Sequence, residues 1–200
     1  MPYDRPDHYA KKAQQAGFKA RSVFKLEEID AKYGLLRPGQ QVLDLGAAPG
    51  SWSQYIAQKI GAKGRLLGID LTPIALALPN ALFVVADIEQ ADYGALFHAA
   101  GITPPLDLVV SDMAPKTSGH TFTDQARSYN LCALALVTAM RYLRPGGAFV
   151  CKMFDGPDVQ EFQRELQACF TKVARVRPKS VRSESKEFFF VATGFRSLMP

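Results

Sequence analysis

The chain has 200 residues, a net charge of +5 and 48% hydrophobic residues, which suits one domain with an ordinary core and excludes a disordered chain. Its longest apolar run, residues 131–140, is too short to span a bilayer, which needs about 20 residues. Residues 1–7 contain no apolar signal core, and Cys132, Cys151 and Cys169 lie in apolar stretches without metal-type spacing. Buried reduced thiols, a cytosolic location and no metal site are therefore expected.

In chain order, residues 7–33 read as two short helices broken at Gly17, the second carrying Val23, Leu26, Ile29 and Tyr33 at helical spacing and stopped by Gly34. Gln41-Val42-Leu43 is a short apolar strand. Residues 54–59 read as a helix with Pro49 near its first turn. Further strands are expected at 65–70, 82–86 (ending at Asp87) and 106–111 (ending at Asp112), alternating with helices. Asp124 is placed to cap a long helix through Tyr142, and Arg144-Pro145-Gly146-Gly147 to turn the chain into a fifth strand, 148–154. A helix over 157–169 precedes two final strands, 171–176 and 187–194, with no helical pattern between them. This order predicts an α/β fold built as one domain: an N-terminal helical segment (1–34) and a Rossmann-like core (40–196). The core is a mostly parallel seven-stranded sheet with an antiparallel last strand and helices on both faces.

The segment Asp44-Leu45-Gly46-Ala47-Ala48-Pro49-Gly50-Ser51-Trp52 joins the first strand to its helix, where a doubly wound sheet binds ligand. A dinucleotide fingerprint needs three glycines. Aligned on Gly46, the next two positions are Ala48 and Ser51. A ligand without a pyrophosphate fits better, and S-adenosylmethionine is the common one. Gly46 and Gly50 would let the backbone approach its methionine portion. Asp70 would accept from both ribose hydroxyls, and Asp87 from the adenine amino group. Each acid taken alone reads more readily as a cap for the next helix; three strand ends in register favour the ligand. Trp52 reads either as a core aromatic or as a wall of the pocket.

The positive charge lies at two places. Arg5, Lys11, Lys12, Lys19, Arg21, Lys25 and Lys32 precede the sheet; Lys172, Arg175, Arg177, Lys179, Arg182 and Lys186 precede the last strand. They read as solvated faces or as grips on a polyanion, with nucleic acid preferred to membrane because neither end has a broad apolar face. Lys152 stands out, since it interrupts the apolar run Ala148-Phe149-Val150-Cys151 and Met153-Phe154, and lysine is rarely buried unless paired. A structural salt bridge with Asp112 is the alternative to a catalytic role.

Five segments together resemble the FtsJ/RrmJ family of RNA ribose 2′-O-methyltransferases, in order over residues 7–195. They are Phe18-Lys19-Ala20-Arg21-Ser22-Val23-Phe24-Lys25-Leu26, residues 44–55, Ser111-Asp112-Met113-Ala114-Pro115, Val150-Cys151-Lys152-Met153-Phe154 and Ser185-Lys186-Glu187-Phe188. The resemblance is closest to bacterial members that modify large-subunit ribosomal RNA. It implies a catalytic tetrad of Lys25, Asp112, Lys152 and Glu187, and S-adenosylmethionine held by Gly50, Trp52, Asp70, Asp87 and Asp112. It implies as substrate the A-loop uridine of 23S rRNA in the 50S subunit, approached by a monomer. Relatives that modify tRNA, and a catalytically silent assembly factor, are the alternatives. Ser51 departs from the glycine of many relatives, and residues 116–123 match poorly. Lys152 would remove the proton of the 2′-hydroxyl as that oxygen takes the methyl group.

Overall fold

The computed structural model describes residues 8–197; Arg5 and the opening residues read for a signal core lie outside them. Two helices, α1 (His8–Gln15) and α2 (Val23–Tyr33), come first. There follow β1 (Gln41–Leu45), α3 (Ser51–Ile60), β2 (Arg65–Asp70), β3 (Ala81–Val85), α4 (Tyr93–Ala100), β4 (Leu106–Ser111), α5 (Thr121–Tyr142), β5 (Leu143–Phe154), α6 (Val159–Cys169), β6 (Phe170–Val176) and β7 (Glu187–Phe195). The strands form one sheet in the order β3-β2-β1-β4-β5-β7-β6. Strand β7 inserts between β5 and β6 and runs antiparallel to both, while the remaining pairings are parallel.

Alternation along the strands divides the core in two. Val42, Leu66, Val110, Val150, Phe189 and Val191 face the side packed with Leu26, Ile29, Trp52 and Ile56 of α2 and α3. Leu43, Leu67, Val109, Phe149, Cys151 and Phe190 face the side packed with Phe97, Ala135 and Phe162 of α4, α5 and α6. Polar residues two or four positions beyond the first set fall on the α2–α3 side. Asp44 thus follows Val42, Asp70 follows Leu66, Asp112 follows Val110 and Lys152 follows Val150. Glu187 precedes Phe189 and Val191. All five lie at one edge of the sheet, because the amino end of antiparallel β7 meets the carboxyl ends of its neighbours.

Several boundaries differ from those expected. Helix α3 starts at Ser51, three residues before the expected Gln54, with Gly50 as its cap and Pro49 just ahead of it. Helix α4, not located from the sequence, has two local signals: Asp92 accepts from the Ala95 N–H at 3.1 Å, and Gly101 ends it in the left-handed conformation. Helix α5 begins three residues before Asp124. The Asp124 carboxylate instead accepts from the Ser118 N–H at 2.8 Å and its hydroxyl at 2.9 Å, which fixes the loop leading in. The 144–147 segment is not a turn before β5 but lies within it, in a register shift between the Leu106–Leu143 and Leu108–Ala148 pairs. Arg144 Nε is held there by Asp107 Oδ1 at 2.7 Å.

Candidate active site

Strands β5 and β7 bring two lysine–carboxylate pairs to the same sheet edge. Lys152 Nζ donates to the backbone carbonyl of Asp112 at 2.6 Å and lies 2.9 Å from its Oδ1. The second contact is an ion pair without hydrogen-bond alignment, so this buried carboxylate oxygen has no hydrogen bond of its own. The Lys152 side chain is 8% exposed, and a buried ammonium without such a partner would be costly. Lys25 Nζ lies 2.5 Å from Glu187 Oε1, with both side chains 13% exposed. Phe189 sits between the pairs: it is the cross-strand partner of Lys152, and the Lys25 ammonium lies 5.8 Å from its ring centroid. The four residues expected as a tetrad are therefore together.

Behind Lys152, Cys132 Sγ donates to its backbone carbonyl at 2.9 Å. Cys132, Cys151 and Cys169 are all free and buried, and burial raises the Cys151 thiol well above its ordinary range.

Toward β1 and β2 the edge turns acidic. Asp70 Oδ2 accepts from the Ala48 N–H at 3.0 Å and Oδ1 from Thr72 N–H at 2.7 Å. A carboxylate oxygen has two acceptor directions, so Asp70 keeps capacity for a ligand's hydroxyls while it fixes the Gly46–Gly50 turn. Asp87, two residues past β3, accepts from the Glu89 N–H at 3.0 Å. Asp44 is fully buried; one oxygen accepts from Ser53 Oγ at 2.6 Å and the other has no partner. Burial pushes its carboxyl up to about 7, against the Ser53 hydrogen bond and with further contributions from Asp112 and Asp70. Sequence reasoning that follows acids at strand ends passes over Asp44. Its signal is the one that marks Lys152, a charge inside an apolar strand.

The glycine turn is as tight as expected, and protein fills the side of each glycine on which a Cβ would stand. Gly46 and Gly50 have φ of 75° and 105°, a region that favours glycine. A Cβ at Gly46 would meet the Met113 side chain, and one at Gly50 the Leu76 side chain. Trp52 is 3% exposed and donates its indole N–H to the Ser22 carbonyl at 2.8 Å. Its ring packs 5.6 Å from Phe189, centroid to centroid. Of the two readings of its side chain, the structure supports the core aromatic. A cationic ligand fits this edge: Asp44 offers an unpartnered buried acceptor, and Asp70 and Asp112 stand on the same face. Among the described residues, no group of three or more His, Cys, Asp or Glu is placed to hold a metal ion.

Two clefts share Glu184 and Ser185 in their walls, and one of them opens beside the Lys25–Glu187 pair. One, of about 370 Å³, is lined by Arg21, Lys25, Ser180, Arg182 and Glu187. The other, of about 430 Å³, is lined by Asp155, Arg175, Arg177, Lys186 and Phe188. The two basic stretches of the sequence thus meet at the β7 end of the site.

A Rossmann-like sheet closed by an antiparallel β7, with acids on β1 and β2 and paired lysines beyond them, is the architecture of a methyltransferase. Residues 18–195 match the model of the FtsJ-like methyltransferases, and the chain belongs to that family. It is 52% identical to the ribosomal RNA large subunit methyltransferase E of Bdellovibrio bacteriovorus over 96% of this chain and 97% of that protein. It is 50% identical to the protein of the same name from Oleidesulfovibrio alaskensis, over 96% and 93%. Among solved structures it is similar to a ribosomal RNA methyltransferase from Plasmodium falciparum, with a TM-score of 0.77 and 27% identity over 89% of this chain and 98% of that one.

Proposed function

We propose that this protein, a monomer of the cytoplasm, methylates a ribose 2′-hydroxyl of large-subunit ribosomal RNA, with S-adenosylmethionine as donor and the A-loop uridine of 23S rRNA as target. The observation that carries the reading is the pair of lysine–carboxylate contacts, Lys152–Asp112 and Lys25–Glu187, on one sheet face around Phe189. The names of the relatives support the substrate class.

The donor, when bound, supplies a methyl group on a sulfonium centre. Asp70 would hold its ribose hydroxyls, Asp87 its adenine, and Asp44 with the Gly46–Gly50 turn its cationic amino acid portion. Lys152 takes the proton of the 2′-hydroxyl. Asp112 holds that nitrogen through carbonyl and carboxylate, so the base is already placed when the acceptor arrives. Lys25 and Glu187 form the wall on the cleft side, where one ammonium and one carboxylate can orient the acceptor ribose. The cleft lined by Arg21 and Arg182 receives the phosphates on either side, and the target nucleotide enters splayed from its stack.

The test uses labelled S-adenosylmethionine with large subunits from cells lacking the enzyme, and with tRNA and protein-free rRNA in parallel. Label on one A-loop ribose of the subunit is expected. Label on tRNA alone would overturn the substrate. No label despite cofactor binding would mean a silent assembly factor.

A further inference from the structure

The Lys25–Glu187 pair joins two segments that are distant in sequence, and neither segment is anchored by the ion pair alone. Lys25 sits on α2. Glu187 begins β7, after the connection from β6 over residues 177–186. A single partly exposed ion pair is too weak to hold such a connection in place, because fixing two long side chains costs rotamer freedom.

Glu28 lies one helical turn beyond Lys25, on the same side of α2. Its carboxylate accepts from two successive backbone amides of the connection, Lys179 N–H at 2.6 Å and Ser180 N–H at 3.0 Å. Charge-assisted bonds of this kind are stronger than neutral ones. Arg21, one turn before Lys25, donates to the Ser180 carbonyl. The far end of the connection is gathered by Arg177, whose guanidinium donates to the carbonyls of Glu187 at 3.1 Å, Arg182 at 3.1 Å and Ser185 at 2.6 Å. A closed path therefore runs from Lys25 through Glu28 to Ser180, along the connection to Arg177 and Glu187, and back to Lys25.

We propose that Glu28 is a positioning residue of the methyl-transfer site, clamping the β6–β7 connection to α2 so that Glu187 meets Lys25. The proposal rests on Lys25 and Glu187 belonging to that site. Glu28 touches no reacting atom; it acts through the 179–180 amides and the frame that Arg177 maintains. Glu28→Gln keeps the shape but turns an NH2 group toward one of the two amides, and a clamp needing two acceptors opens.

The experiment measures three quantities on Glu28→Gln: the single-turnover methylation rate of large subunits at saturating cofactor, the cofactor affinity, and hydrogen exchange at the Lys179 and Ser180 amides. The expected result is a rate lower by about tenfold, of the size a small misplacement of reacting groups causes. Cofactor affinity should stay within twofold of wild type, and both amides should lose protection. Glu28→Asp, which keeps the charge and shortens the reach, should fall between wild type and Glu28→Gln; it also serves if the glutamine variant fails to fold. A wild-type rate with freed amides, or amides that stay protected, would overturn the proposal. Lys25→Ala, measured alongside, separates the clamp from the site it serves. If it is slow while Glu28→Gln is normal, only the clamp is wrong. A fully active Lys25→Ala would overturn the assignment of Lys25 itself, and the clamp's role with it.

Discussion

Lys152 and Phe189 stand directly opposite each other in the antiparallel β5–β7 ladder, so the aromatic ring is the floor on which both lysine–carboxylate pairs are arranged. Phe189 is fully buried, packs against Trp52 and lies beneath the Lys25 ammonium. Phe189→Ala is expected to cost about 3–5 kcal/mol of stability, the usual range for a buried aromatic. Phe189→Leu should be milder in stability, yet still slow methyl transfer, because the surface between the pairs changes shape. Denaturant unfolding and single-turnover rates measured on both variants check this. A leucine variant with unchanged rate would show that the ring serves the core alone.

Asp44 ties stability to pH in an unusual direction. Its carboxyl is raised from 3.8 to about 7, so the folded state holds a proton that the unfolded state releases. The stabilisation this gives is complete below about pH 4 and is lost as pH rises through about 7. Asp44→Asn removes that dependence. The variant should exceed wild type in stability above pH 7 by on the order of a few kcal/mol, with the difference shrinking toward pH 4. The same variant should bind S-adenosylmethionine more weakly, since the unpartnered oxygen is the acceptor offered to the donor's cationic portion. Chemical denaturation across this pH range decides the first point; parallel profiles for the two proteins would contradict it.

Arg21, Lys25 and Arg182 line one cleft beside the site, and Arg175, Arg177 and Lys186 the other. Binding to large subunits should therefore weaken steeply as salt rises, through release of counterions. Arg182→Ala should reduce the magnitude of the salt slope by about one. Affinities measured over a salt series test this, and a flat dependence would point to a small uncharged acceptor.

Much of this arrangement is legible in the sequence for a simple reason. A parallel sheet buried on both faces needs near-continuous apolar strands, so charges at their ends or inside them are conspicuous. Asp70, Asp112 and Lys152 are found that way, whereas Lys25 and Glu187 come from the family resemblance. Helix α2 is equally readable, from its apolar spacing and from Gly34, which ends it in the left-handed conformation. Other features depend on tertiary context. The 144–147 segment carries strong turn residues, yet pairing with β4 draws it into β5 as an irregularity. Pairing with both neighbours extends β1 through Asp44 to Leu45 and places a carboxyl where no solvent reaches it. Gly46 and Gly50 announce a close approach, but not that Met113 and Leu76 would make it. Glu28 carries no local signal at all. Its partners are backbone amides about 150 residues away, and backbone groups look alike in any sequence.

Everything proposed for the site turns on Lys152, held by Asp112, being the base of a methyl transfer. The decisive measurement is the single-turnover methylation of large subunits by Lys152→Ala, with its S-adenosylmethionine affinity determined on the same preparation. Transfer should be abolished while cofactor affinity stays close to wild type. Loss of both together would make Lys152 a structural residue, and transfer at the wild-type rate would contradict its role as the base outright.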